Sequence, residues 1–254
     1  MNFEKILSHH LLDHAFFPLF DLGGVRFAFT KHLLMMWIVG SFLLVAFSWL
    51  ARTRTGAGLL ARVALESLVL YIRDVIVEPA LGHAGRRYLP YFLTLFFFIL
   101  FCNLAGLLPY GATATGNISV TAGLALCTFG LMQVAGVREQ GLFNYLKHVA
   151  PSGIPWWVLV ILYPIEILGM LVKCIALTIR LFANMIAGHI VALSFLSLIF
   201  IFGEMSRPLG FLVSVPAVGL ALFITCLDLL VALLQAYIFT MLTALFVGSS
   251  VHPH

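Results

Sequence analysis

The chain has 254 residues, of which 62% are hydrophobic and only 9% charged, with a formal net charge of +4. A soluble domain carries about a quarter charged residues, so this composition excludes a water-soluble globular protein. The apolar residues lie in long runs rather than in alternating pieces of about ten, which excludes a β-barrel and indicates an all-α membrane fold in one domain, 1–254.

Residues 1–30 read as an outer amphipathic segment. "MNFEKILSHHLLDH" sets Phe3, Ile6, Leu7, Leu11 and Leu12 against Glu4, Lys5, Ser8 and three histidines, the pattern of a helix lying on the membrane surface. No basic stretch leads into an apolar core and a small-residue cleavage site, so a cleavable signal is not expected. His10 and His14 have a metal-compatible spacing; the polar face of an interfacial helix is the favoured reading.

The first span is 33–50, "LLMMWIVGSFLLVAFSWL", fenced by Lys31, His32, Arg52 and Arg54. Residues 57–78 place Arg62, Glu66, Arg73 and Asp74 among Leu59, Val63, Leu70 and Val77, which predicts an amphipathic helix on the inner surface, ended by Pro79 and the "GHAGRR" segment. A hairpin of two spans, 89–109 and 118–137, occupies 89–137. Two long apolar stretches, about 156–202 and 209–248, finish the chain. The break between them, "GEMSRPLG", leaves room for little more than a turn. Each stretch is therefore expected to be one long tilted helix, giving five membrane passes. Lys and Arg number eight after the first and third spans against four on the other side. By the positive-inside rule the N-terminus lies outside and the C-terminus inside. Cys102, Cys127, Cys174 and Cys226 all fall in apolar runs and read as small hydrophobes.

Glu166, Lys173, Arg180, His189 and Asp228 lie inside the two long stretches, and each costs roughly 2.5 to 3.5 kcal/mol at bilayer depth. Snorkelling or a silent ion pair is an alternative for Glu166 near its helix start and an even one for Lys173. Arg180 is too many turns from a helix end for that. Glu166, Lys173 and Arg180 are seven apart and share a stripe, with Asn184 one turn beyond. His189 is rotated to the opposite face. Folding the two helices antiparallel pairs Arg180 with Gln235 and His189 with Asp228, at midpoints 207.5 and 208.5, both within the break. His and Asp exchange protons near neutral pH, whereas arginine does not release its proton. Arg180 would thus interrupt a proton wire and attract a carboxylate from a partner.

"IRLFANMIAGHIV" with "LLQAYIFTMLTALF", "NLAGLLP", "TGNISVTAGLAL" and the N-terminal "HHLLDH" resemble the a subunit of F-type ATP synthase over nearly the whole chain. The resemblance implies a proton-translocating stator subunit beside a ring of c subunits, with peripheral-stalk b subunits and the rest of the synthase as partners in the bilayer. It implies two half-channels divided by Arg180, with Asn184 and Gln235 associated, His189 and Asp228 in the outer path and Glu166 in the inner one. Many bacterial members have Glu at the position of His189 and His at that of Asp228, so acid and imidazole are exchanged here. No metal, cofactor or nucleic acid is expected, and no enzymatic activity outside the complex. The expected location is a bacterial cell inner membrane, with an organelle inner membrane as the alternative. A secondary ion-coupled transporter is the rival reading, but the sequence shows no internal repeat. A haem-binding electron carrier needs paired axial ligands, and His189 is the only mid-span histidine.

Overall fold

The computed structural model describes residues 15–22, 25–53, 56–108, 114–141, 145 and 156–251. The surface helix expected over residues 1–14, with His10 and His14, lies outside them. Residues 15–30 are not helical. Ala15–Leu22 (β1) and Val25–Thr30 (β2) pair antiparallel, Leu22 opposite Val25 and Ala15 opposite Thr30. The physical reason is composition: phenylalanine, valine and threonine suit extended backbone. Pro18, which has no N–H to donate, is tolerated because each strand of a two-stranded ribbon is an edge.

The membrane passes are all helical. Five helices are long and apolar enough to cross a bilayer: α1 (Lys31–Arg52), α3 (Gly85–Leu107), α4 (Ile118–Gln140), α5 (Trp156–Met205) and α6 (Arg207–Val251). Between the first two lies α2 (Ala57–Tyr71), which continues as a π-helical turn over Ile72–Val77 and a helical turn over Glu78–Leu81. The segment thus runs past Pro79. The Glu78 N–H bonds five residues back to the Arg73 carbonyl, and Pro79 falls in the first turn of the next helical piece, where its missing N–H costs least. Gly82, with φ of 56°, ends the run. Its polar face carries exposed pairs, Arg62–Glu66 at 2.8 Å and Arg73–Asp74 at 2.6 Å. Ile72, Ile76, Val77 and Leu81 are buried.

The two long stretches are single helices, and they form a hairpin whose link is one residue. Ser206 closes α5 by donating its N–H to Phe202 O at 3.1 Å, and its Oγ accepts the Leu209 N–H at 3.4 Å, capping α6. Gly210 sits so close to Gly203 that a Cβ there would lie 2.6 Å from the Gly203 Cα. Small residues allow this approach because helices in lipid associate by close packing rather than by hydrophobic burial.

Contacts divide the chain into two compact units. The first holds Met1–Leu43, Phe98–Ile118 and Leu181–Gln235; the second holds Leu44–Phe97, Ser119–Arg180 and Ala236–His254. The first has a core of Val39, Ile99, Cys102, Leu181, Met185, Ala217 and Ala232. In the second, Phe92, Phe96, Met132, Leu177, Phe239 and Val247 are buried, and the Phe47 and Phe97 rings meet edge-on at 4.9 Å. The end of α6 is fastened within this second unit. Gln140 Nε2 donates to Ser250 O at 2.5 Å and to Val251 O at 3.5 Å, satisfying carbonyls that have no helical partner. Tyr145 OH donates to Gln133 Oε1 at 2.6 Å. Gly248 lies directly on the Ala80 carbonyl, where any Cβ would collide with backbone.

Candidate functional site

His189 on α5 and Asp228 on α6 are both half-buried in the first unit and interact electrostatically. The residue directly against the Asp228 carboxylate is Gly188, where a Cβ would lie 2.6 Å from Oδ2. The absence of a side chain at Gly188 gives the acid its place beside α5.

Asn184, one turn before Gly188, is half-buried in the same unit. Gln235 is buried to 4% exposure, and its Nε2 has no hydrogen-bond partner. A buried amide donor left open in an apolar bundle is costly.

Arg180 and Glu166 lie in the second unit, and both are exposed. Among the described residues the ion pairs involve Arg62, Arg73 and Arg87 at the surface, and Arg180 is in none of them. Lys173, on the same stripe, is half-buried with its Nζ 5.3 Å from the centre of the Phe246 ring, a cation–π contact. Lys173 thus points its charge at an aromatic face, whereas Arg180 projects an unpaired cation from an apolar helix.

One polar cluster was not anticipated as part of the site. Asn103 on α3 and Thr115, in the turn Ala114–Gly116, are both 0% exposed. Thr115 Oγ1 donates to Asn103 Oδ1 at 2.7 Å, and Asn103 Nδ2 donates to the Ala232 carbonyl of α6 at 3.5 Å. The sequence signal was an asparagine inside an otherwise apolar span, which the bilayer tolerates only with partners.

Together these features define a polytopic helical membrane protein whose longest hairpin carries ionisable groups at bilayer depth. The family model for the ATP synthase A chain matches residues 33–248. The protein named "ATP synthase subunit a" from Myxococcus xanthus is 48% identical over 242 residues, covering 91% of this chain and 77% of that relative. Its namesake from Chloroherpeton thalassium is 42% identical over 259 residues, covering 96% and 75%. "ATP synthase subunit a 2" from Chlorobaculum tepidum is 43% identical over 263 residues, covering 96% and 72%. The chain belongs to the ATP synthase A chain family. It is accordingly a membrane subunit of a larger complex and not a free-standing enzyme.

Proposed function

We propose that the chain is the proton-translocating stator subunit of a bacterial inner-membrane ATP synthase, working against a ring of c subunits and held by peripheral-stalk b subunits. The observation that carries this reading is Arg180: an exposed guanidinium, in no ion pair among the described residues, on a helix long and apolar enough to cross a bilayer. A permanent cation in that setting calls for a carboxylate from outside the chain, because Glu166, the carboxylate on the same stripe, is fourteen residues and so about 21 Å along the helix away. The eight-to-four distribution of Lys and Arg supports a C-terminus on the inner side.

Protons enter from the outer side through His189 and Asp228 and neutralise a ring carboxylate. That carboxylate then faces lipid, where desolvation favours its neutral form. After nearly a full turn it comes opposite Arg180, ionises, and releases its proton along the inner path through Glu166. Arg180 prevents a direct leak because it does not give up its proton, and Asn184 and Gln235 supply polar contacts beside it. Each proton crossing contributes about 2.3 kcal/mol per 100 mV of membrane potential.

The test is Arg180→Ala in the fully assembled complex in membrane vesicles. Proton-driven ATP synthesis is expected to be lost while the complex still assembles. Synthesis at the normal rate per assembled complex would overturn the reading.

A further inference from the structure

Ala232 lies one turn from Asp228 and one turn from Gln235, on the face of α6 that both share. Its main-chain carbonyl accepts from Asn103 Nδ2 at 3.5 Å, and both residues are 0% exposed. Asn103 is oriented in turn by the Thr115 hydroxyl, which spends its proton on Asn103 Oδ1 at 2.7 Å. This donation leaves the amide nitrogen facing α6, since an amide whose oxygen is occupied presents its N–H groups on the other side. Thr115 is held by a tight turn, closed where Asn117 N donates to Ala114 O at 3.2 Å. All of these residues belong to the first unit.

We infer that Asn103 and Thr115 are positioning residues for ion translocation: they fix the axial position of α6 at Ala232 and so set where Asp228 stands beside Gly188 and His189. The inference rests on the proposed half-channel function of Asp228. The chemistry is directional. A hydroxyl at 115 must donate, an amide at 103 must accept and pass the bond on, and the acceptor is a main-chain carbonyl that no substitution on α6 removes. A buried polar network of this kind specifies one packing arrangement because every alternative leaves a donor or acceptor open.

The decisive comparison is Thr115→Val against Thr115→Ser, with Asn103→Leu, in the complete complex and normalised to assembled subunit. Valine keeps the shape of threonine and removes the hydroxyl; serine keeps the hydroxyl and removes a methyl group. The positioning role predicts that Thr115→Ser stays within about twofold of the unsubstituted rate of proton-driven synthesis. Thr115→Val and Asn103→Leu fall by roughly tenfold, as for a reacting group displaced by a fraction of an ångström. A packing role predicts the reverse order for serine and valine, and that result overturns the inference. If Asn103→Leu is absent from the complex, the Thr115 pair decides. Failure of Thr115→Val to assemble where Thr115→Ser assembles also overturns it, in favour of a purely structural bond. Retained synthesis in Arg180→Ala would instead overturn the underlying function, so the two failures are distinguishable.

Discussion

Replacing Gly188 with alanine separates the position of the Asp228 carboxylate from the stability of the fold. The added Cβ would meet both carboxylate oxygens and Cγ of Asp228, with Oδ2 at 2.6 Å and Oδ1 nearer still, against an ordinary contact of 3.4–4 Å, so the carboxylate must retreat by about 1 Å. The atoms that must move are the end of a rotatable side chain and not backbone. Relief by a side-chain torsion costs about 0.5 to 1.5 kcal/mol, too little to prevent assembly. The functional cost is larger, because a misplacement of about 1 Å at a reacting group costs on the order of a hundredfold. Gly188→Ala is therefore expected to lower proton-driven ATP synthesis ten- to a hundredfold, equivalent to about 1.4 to 2.7 kcal/mol in barrier. The assay is synthesis in energised vesicles, normalised to the amount of assembled subunit. Gly130→Ala, where an added Cβ would have nothing within 4 Å, is the control. Retention of more than half the normal rate in Gly188→Ala would refute the argument that this glycine places the acid.

Exchanging His189 and Asp228 should preserve partial synthesis, whereas Asp228→Asn should abolish most of it; equal rates in the two would remove the pair from the ion path. Gly248→Ala meets the Ala80 main chain, which has no torsion to yield, and should destabilise the inner end of α6 by about 1 to 3 kcal/mol, read as a lower thermal midpoint of the purified complex. Gln140→Leu removes the bond to Ser250 O and should speed amide exchange in the last turn of α6 in line with a loss of about 1 kcal/mol. Burial raises the Tyr145 phenol above its ordinary 10.0, with the bonds to Ser250 and Gln133 opposing the shift. Its folded state favours the neutral phenol, so its contribution to stability is complete below pH 10 and is lost as pH rises through the folded value. Ultraviolet titration of Tyr145→Phe against the parent should show one fewer late-titrating tyrosine.

The five passes were legible because each is a run of apolar residues too long for anything but a helix in lipid. The same logic made the His189–Asp228 pair legible, since antiparallel helices joined by a short break pair residues symmetrically about it. The one-residue link at Ser206 was less visible: Ser-Arg-Pro reads as a several-residue turn until the serine is seen to end one helix and cap the next. The strand pair over residues 15–30 was not legible, because the expectation of an amphipathic outer segment carried no secondary structure past residue 14. Asn103 and Gly188 could not be ranked from sequence. The weight of each comes from what faces it, namely a carbonyl on α6 for one and a carboxylate for the other.

The fastening of α6 by Gln140 has a consequence for how the protein is made. Its two partners are 110 residues apart in the chain, and synthesis proceeds at roughly 5 to 20 residues per second. For about 5 to 20 seconds after Gln140 is made, its amide has no counterpart on α6, and Ala80 waits longer still for Gly248. The part of the second unit that receives the end of α6 is thus the last to close. A chain that stopped before residue 248 would leave the Gln140 amide and the Ala80 carbonyl without these neighbours.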